Sequence, residues 1–293
     1  MEIKLTDSHC HLDFQEFDQQ RAQLISECAT AGIHRIIIPA TQPNNWSTIL
    51  ELAATYSPDI LSNTTTTHLT NILDNISGNT PSNSVSKNCQ LFPTLGIHPW
   101  FLNTLNQTHL DDLAIQVEKN RPQLVAIGET GIDGTIAKQS NNLTQQQHFF
   151  ASQLNLAKQY KLPIIVHHRQ SHQTIIPMLK QANLSEGGVI HAFSGSYQQA
   201  KAYLDLGFYL GVGGTITYPR AVKTINTIKK LPLTRLLLET DAPSMPLFGY
   251  QGQINTPLHC INVFEKLVEL RTEKSGIIAE QLEQNVAHLF KLF

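Results

Sequence analysis

Eight short apolar runs, each followed by a stretch with helical periodicity, constrain this chain more than any other feature of its sequence. Strands are expected near 3–7, 35–39, 92–96, 124–128, 163–167, 188–191, 209–212 and 235–239. Amphipathic segments at 21–31, 145–160, 198–206 and 221–230 lie between them. Nearly continuous apolar strands alternating with helices are the pattern of a parallel sheet covered on both faces. Eight such units predict an α/β fold closed into a (β/α)8 TIM barrel, although the pattern by itself also fits a doubly wound sheet. At 293 residues the chain matches one large core, because barrels of this kind commonly reach ~250 residues as a single domain. One domain over 1–293 is therefore expected.

The rhythm breaks once. From Ser62 to Cys89, 17 of 28 residues are Ser, Thr or Asn. Such a stretch carries too little apolar surface to offset its ordering entropy, which predicts a surface insertion at about 62–89 between the second helix and the third strand.

Bulk properties remove some functions. A formal charge of -2 and no Lys/Arg run longer than two residues exclude a surface that grips long polyanions by overall charge. The four cysteines show no CxxC spacing, and the start MEIKLTDSHC lacks the apolar stretch of a secretory leader. No run approaches the ~18 apolar residues of a membrane span. A cytoplasmic protein with no membrane association and no obligate protein partner is expected.

Thirteen histidines are more informative, because imidazole is the commonest metal ligand and the usual acid/base group near neutral pH. In DSHCH, His9 and His11 stand two apart, and strand alternation turns them the same way, with Cys10 opposite. Glu129 closes the fourth run, His167 the fifth and His191 the sixth, and Asp241 follows the eighth. Ionisable groups thus gather where each apolar strand stops, which in a barrel is the mouth that carries active sites. Four histidines, a glutamate and an aspartate suit one or two borderline cations such as Zn²⁺ or Mn²⁺. With no redox or cofactor fingerprint present, hydrolysis is the simplest chemistry.

The stretches DSHCHLD, GIHPW, GETGID, HHR, HAFSG and ETDAP, in this order, resemble the TatD family of metal-dependent hydrolases within the amidohydrolase-like barrels. The resemblance spans essentially the whole chain apart from the insertion. GVGGTITYPRA and the long segment after ETDAP are similar to the YjjV-like branch of deoxyribonucleases. The resemblance implies two divalent cations (Zn, Mn or Mg), one held by His9, His11, Glu129 and Asp241, the other by Glu129, His167 and His191. It also implies catalysis by Glu129 and Asp241, with Asp241 taking a proton from a metal-activated water. His168 stands where the family often has a small polar residue and is expected to face away from the site.

Arg169 is positioned to pair with a phosphate, or else to form a structural ion pair. His98 is placed to donate to a substrate oxygen or to fix its loop. Glu239, two residues before Asp241, is expected beside the ligands, and Trp100 either stacks a base or packs. The leading function is hydrolysis of phosphodiester bonds in DNA, single-stranded or at ends. The alternatives are a hydrolase of a small phosphoester, amide or lactone, and a non-enzymatic protein with structural metal.

Overall fold

The computed structural model describes residues 3–57 and 89–293. The expected insertion lies outside these residues except for Cys89, whose buried side chain belongs to the core and not to a surface loop. In chain order the elements are β1 (Leu5–Asp7), α1 (Arg21–Thr30), β2 (Ile33–Pro39), α2 (Trp46–Tyr56), β3 (Gln90–Leu95), α3 (Gln107–Asn120) and β4 (Ala126–Asp133). Then follow α4 (Gly134–Ser140), α5 (Leu143–Tyr160), β5 (Ile164–Arg169), α6 (His172–Ala182), β6 (Gly188–Ile190), α7 (Tyr197–Leu204) and β7 (Tyr209–Val212). α8 (Val222–Lys230), β8 (Leu236–Leu238), α9 (Cys260–Leu270) and α10 (Ser275–Phe290) complete the series.

All eight strands are parallel and each pairs with its successor in the order β1 to β8, the topology of a (β/α)8 barrel. The β1–β8 seam is joined just above the strands. Ser8 N donates to Leu238 O (2.8 Å), Asp241 N to His9 O (2.9 Å) and His11 N to Ala242 O (2.8 Å). The buried Asp7 side chain locks the same seam by accepting from Thr240 N (3.0 Å), Thr240 Oγ1 (2.6 Å) and His9 N (3.2 Å). Closure therefore fixes the DSHCH and ETDAP segments against each other. A backbone amide left unpaired at this depth would cost about 1–3 kcal/mol.

β1 ends at Asp7 as expected, so His9 and His11 lie beyond the strand, held by seam bonds and not by strand alternation. β4 does not end at Gly128 but continues to Asp133, pairing Gly131 with His167 and Asp133 with Arg169 after a register shift between Ile127 and Thr130. The polar Gly-Glu-Thr-Gly run hides this extension from a reading of apolar periodicity. Gly131 has φ +150, and a Cβ there would collide with the backbone of His167, so only glycine lets β4 approach β5 this closely.

Inside the barrel, Ile37, Phe92, Ala126, Ile165, Val189, Tyr209 and Leu237 form a buried cluster, against which Val286, Leu289 and Phe290 of α10 pack. A larger cluster fills the space between strands and the surrounding helices. No helix among the described residues is long and apolar enough to cross a membrane.

Candidate metal centre

Two steps along a strand return a side chain to the same face. From the apolar plug, one such step leads from Ile165 to His167, from Val189 to His191 and from Leu237 to Glu239. The layer so reached is ionisable and buried, with Glu129 at its centre.

The two carboxylate oxygens of Glu129 face two different sets of nitrogens. Oε2 lies 3.2 Å from His9 Nε2 and 3.4 Å from His11 Nε2. Those two nitrogens are 3.3 Å apart, and Asp241 Oδ1 is 3.5 Å from each. Oε1 lies 2.8 Å from His191 Nε2, 3.2 Å from His167 Nδ1 and 3.3 Å from His98 Nε2, with the His167 and His191 nitrogens 3.4 Å apart. The rings of His9 and His191 stack at 4.0 Å, so the two sets stand back to back.

These separations suit a cation. Ligand atoms at the usual Zn–N or Zn–O distances of about 2.0–2.2 Å in a tetrahedron are about 3.3–3.5 Å from one another. Nitrogens crowded to that spacing without good hydrogen bonds, around a Glu129 Oε1 that is buried and has no hydrogen-bond partner, form a donor set that fits divalent metal. His11 Nδ1 is 3.2 Å from Pro39 O; donating there would, with a cation bound, leave Nε2 as the ligand atom on the side of Glu129 and Asp241.

The electrostatics agree. Burial alone would raise the Glu129 carboxyl, but the imidazoles of His191, His98 and His9 hold it well below its ordinary value. Burial likewise opposes ionisation of Asp241, and the hydrogen bond from His11 with the charges of His191 and His9 reverses it. His9 and His98 are pushed down to about 4, first by burial. His191 is raised to about 9: burial opposes its charge, but the carboxylate of Glu129 outweighs that burial. The field that draws protons onto some of these rings is one that cations would neutralise.

Behind the donors stand residues that orient them. Asp133, 0% exposed, accepts from Trp100 Nε1 (2.7 Å), lies 3.3 Å from His167 Nε2, and caps α4 through the amides of Thr135 and Ile136. Burial opposes its ionisation, yet the hydrogen bonds from His167 and Trp100 keep it well below the usual carboxylate range. Glu239 accepts from Ala192 N and sits 4.0 Å from His191 Nδ1. Burial pushes its pKa up to about 8.

The structure brings together all six residues expected as ligands, and adds His98, whose Nε2 joins the second set while its Nδ1 accepts from Trp100 N (3.2 Å). The sequence reading missed Asp133 and the Asp7–Thr240 lock. The alternation from Glu129 through Gly131 to Asp133 would have found the first, had β4 been carried past Gly128. His168 does not simply face away: it packs against His172 (4.6 Å between rings) and Phe193 (5.9 Å) and also borders the cavity. Arg169 is exposed, lines the same cavity, and pairs with no carboxylate among the described residues, so the structural ion pair is not found. The cavity, about 490 Å³, has every donor except His9 in its lining, together with Trp100, Phe101, Ser244 and Met245.

The family model of "TatD related DNase" matches residues 6–68 and 64–291. The chain belongs to the TatD family. Within that family it is similar to the Escherichia coli protein described as the uncharacterized metal-dependent hydrolase YjjV, at 39% identity over the full length of both chains. It is also similar to an uncharacterized metal-dependent hydrolase of Haemophilus influenzae, at 37% identity over 97% of this chain and 98% of the relative. The crystal structure of YjjV superposes with a TM-score of 0.84 over 99% of each chain. The TatD family protein is accordingly a metal-dependent hydrolase on a TIM barrel, with His and Glu clusters capable of binding metal.

Proposed function

We propose that this chain is a deoxyribonuclease that hydrolyses phosphodiester bonds in single-stranded DNA or at DNA ends. The observation that carries the reading is one buried glutamate whose two oxygens each complete a separate His-rich donor set, beside a cavity with Arg169 on its wall. His9, His11, Glu129 and Asp241 would hold one divalent cation, and Glu129, His167 and His191, with His98, a second. Such a pair supplies Lewis acidity, a lowered pKa for bound water and a clamp for the attacking and leaving oxygens.

The chain's own groups do the rest. Asp241, held ionised by its neighbours, accepts the proton released by the attacking water. Arg169 presents a planar fork suited to two phosphate oxygens. Asp133 keeps the imidazole of His167 in place, and the Glu239 carboxyl lies behind that of His191. Net charge near zero supports contact with a few phosphates and not with a long duplex. Four buried free cysteines are in keeping with a reducing, cytoplasmic setting.

The test is to strip the metal, add back Mg²⁺, Mn²⁺ or Zn²⁺ separately, and follow a 5′-labelled single-stranded oligonucleotide. A ladder that shortens from one end only when metal is restored is the expected result. Full metal occupancy by elemental analysis with no cleavage would move the substrate to a small phosphoester, amide or lactone on the same barrel.

A further inference from the structure

Trp100 combines two properties that seldom occur together on a protein surface. It is 47% exposed and lines the cavity mouth, yet its orientation is fixed from three directions. Its Nε1 donates to the buried Asp133 at 2.7 Å. Its backbone N donates to His98 Nδ1 at 3.2 Å. Its ring meets the rings of His98 (5.3 Å, 84°) and His167 (6.1 Å, 73°) edge to face.

A large aromatic surface kept open and rigid costs little further entropy when a flat partner settles on it. Packing among the described residues does not account for it, since they leave nearly half the side chain uncovered. The partner must be planar, must approach from the cavity, and must bring its attached phosphate within reach of the donors around Glu129. An unpaired nucleobase meets all three requirements, because every base has a π-face and a backbone phosphate beside it.

We propose that Trp100 is the stacking platform for the nucleobase adjoining the attacked phosphodiester. The proposal rests on the nuclease reading and sharpens it, because a base held in a duplex has no face to offer. Asp133 ties this platform to the metal centre: one carboxylate oxygen lies within hydrogen-bond reach of both Trp100 Nε1 and His167 Nε2. A seated base and a correctly turned His167 therefore share one anchor.

Two matched single-stranded oligonucleotides test it, one intact and one with an abasic tetrahydrofuran unit beside the cleaved linkage, given to the metal-loaded wild type, Trp100→Ala and Trp100→Phe. The wild type is expected to favour the intact strand in kcat/KM by about 5- to 150-fold, the range of one base–aromatic stack. That preference should vanish in Trp100→Ala and survive in Trp100→Phe, with metal content measured in both variants.

A second readout is independent of turnover. The chain has two tryptophans, and Trp46 is 6% exposed, so quenching of intrinsic fluorescence reports on Trp100. A cleavage-resistant phosphorothioate strand should quench it, and its abasic counterpart should not. Equal cleavage of both strands by the wild type, or equal quenching, would overturn the platform while leaving the nuclease reading intact. Cleavage of neither strand by fully loaded enzyme would overturn both.

Discussion

The lower and upper layers of the barrel interior are built on the same strands, two residues apart, and do opposite things. Below lie Phe92, Ile165, Val189 and Leu237, sealed by Val286, Leu289 and Phe290 of α10. Above lie His167, His191, Glu239 and the Glu129 carboxylate. A two-residue step is only about 6.6 Å. Over that distance the interior passes from side chains that gain free energy by leaving water to side chains that lose it unless a partner, including a cation, satisfies them. The lower layer makes the fold, and the upper layer uses the stability so gained to hold charges where water would otherwise disperse them.

The largest separation of the two roles should come from Asp241→Asn and Glu129→Gln. Both are near-isosteric, so the melting transition should stay cooperative. Turnover should fall by more than about 100-fold, a loss that even the partners standing behind metal ligands can produce. Wild-type rates in either variant would remove these groups from the chemistry.

The converse change is Phe92→Ala, in the plug. It deletes most of a fully packed aromatic and should lower the unfolding free energy by about 3–5 kcal/mol. Because no donor atom is touched, metal bound per folded molecule should hold at the wild-type value below the new melting temperature. A variant that folds as stably as the parent but loses metal would show that the two layers are not separable.

The same division explains what could be read from the sequence. The plug and its strands were legible because apolar periodicity reports burial directly: β7 is found at Tyr209–Val212 as expected, and the eightfold βα rhythm gives the barrel. The ionisable residues were legible by phase, each standing where an apolar run stops. What escaped was non-local. The continuation of β4 is specified by pairing with β5, through Gly131 opposite His167, and no local propensity marks it. His98 reaches Glu129 only because β3 and β4 are neighbours, and Asp7 meets Thr240 only because the barrel closes. Asp133 and His167 are 34 positions apart, and Asp7 and Thr240 are 233 apart, beyond the reach of any periodicity.

An intermediate effect is expected at Asp133, which belongs to neither layer but braces the upper one. Asp133→Asn keeps the size of the side chain and weakens its hold on His167. Metal affinity at the set that includes His167 should fall by about 10–100-fold, seen in a calorimetric titration, whereas the set around His9 and His11 should keep its affinity. Equal weakening of both sets would mean that Asp133 supports the mouth as a whole and does not orient one imidazole.

The smallest effect is expected at Glu239 in mild acid, and its growth with pH probes the cost of the upper layer most directly. The carboxyl is fully buried, one oxygen accepts from Ala192 N, the other has no partner, and burial raises its pKa from 4.5 to about 8. Near pH 5 the side chain is neutral in the metal-free fold and still partly protonated in the unfolded chain, and a glutamine can reproduce its shape and its acceptor. Glu239→Gln should there change the unfolding free energy of the metal-free protein by no more than about 1 kcal/mol, the net value of one hydrogen bond. As the pH rises towards 8, the unfolded glutamate releases its proton while the buried one keeps it, so ionisation favours unfolding in the wild type alone. The variant should therefore become the more stable of the two, by a margin that widens up to about pH 8 and levels off above it. Denaturant titrations at pH 5 and pH 8 measure both quantities. If the wild type were instead the more stable at pH 8, Glu239 would be a satisfied anion, and the contrast between an apolar layer that stabilises and an ionisable layer that costs would fail at its most deeply buried carboxylate.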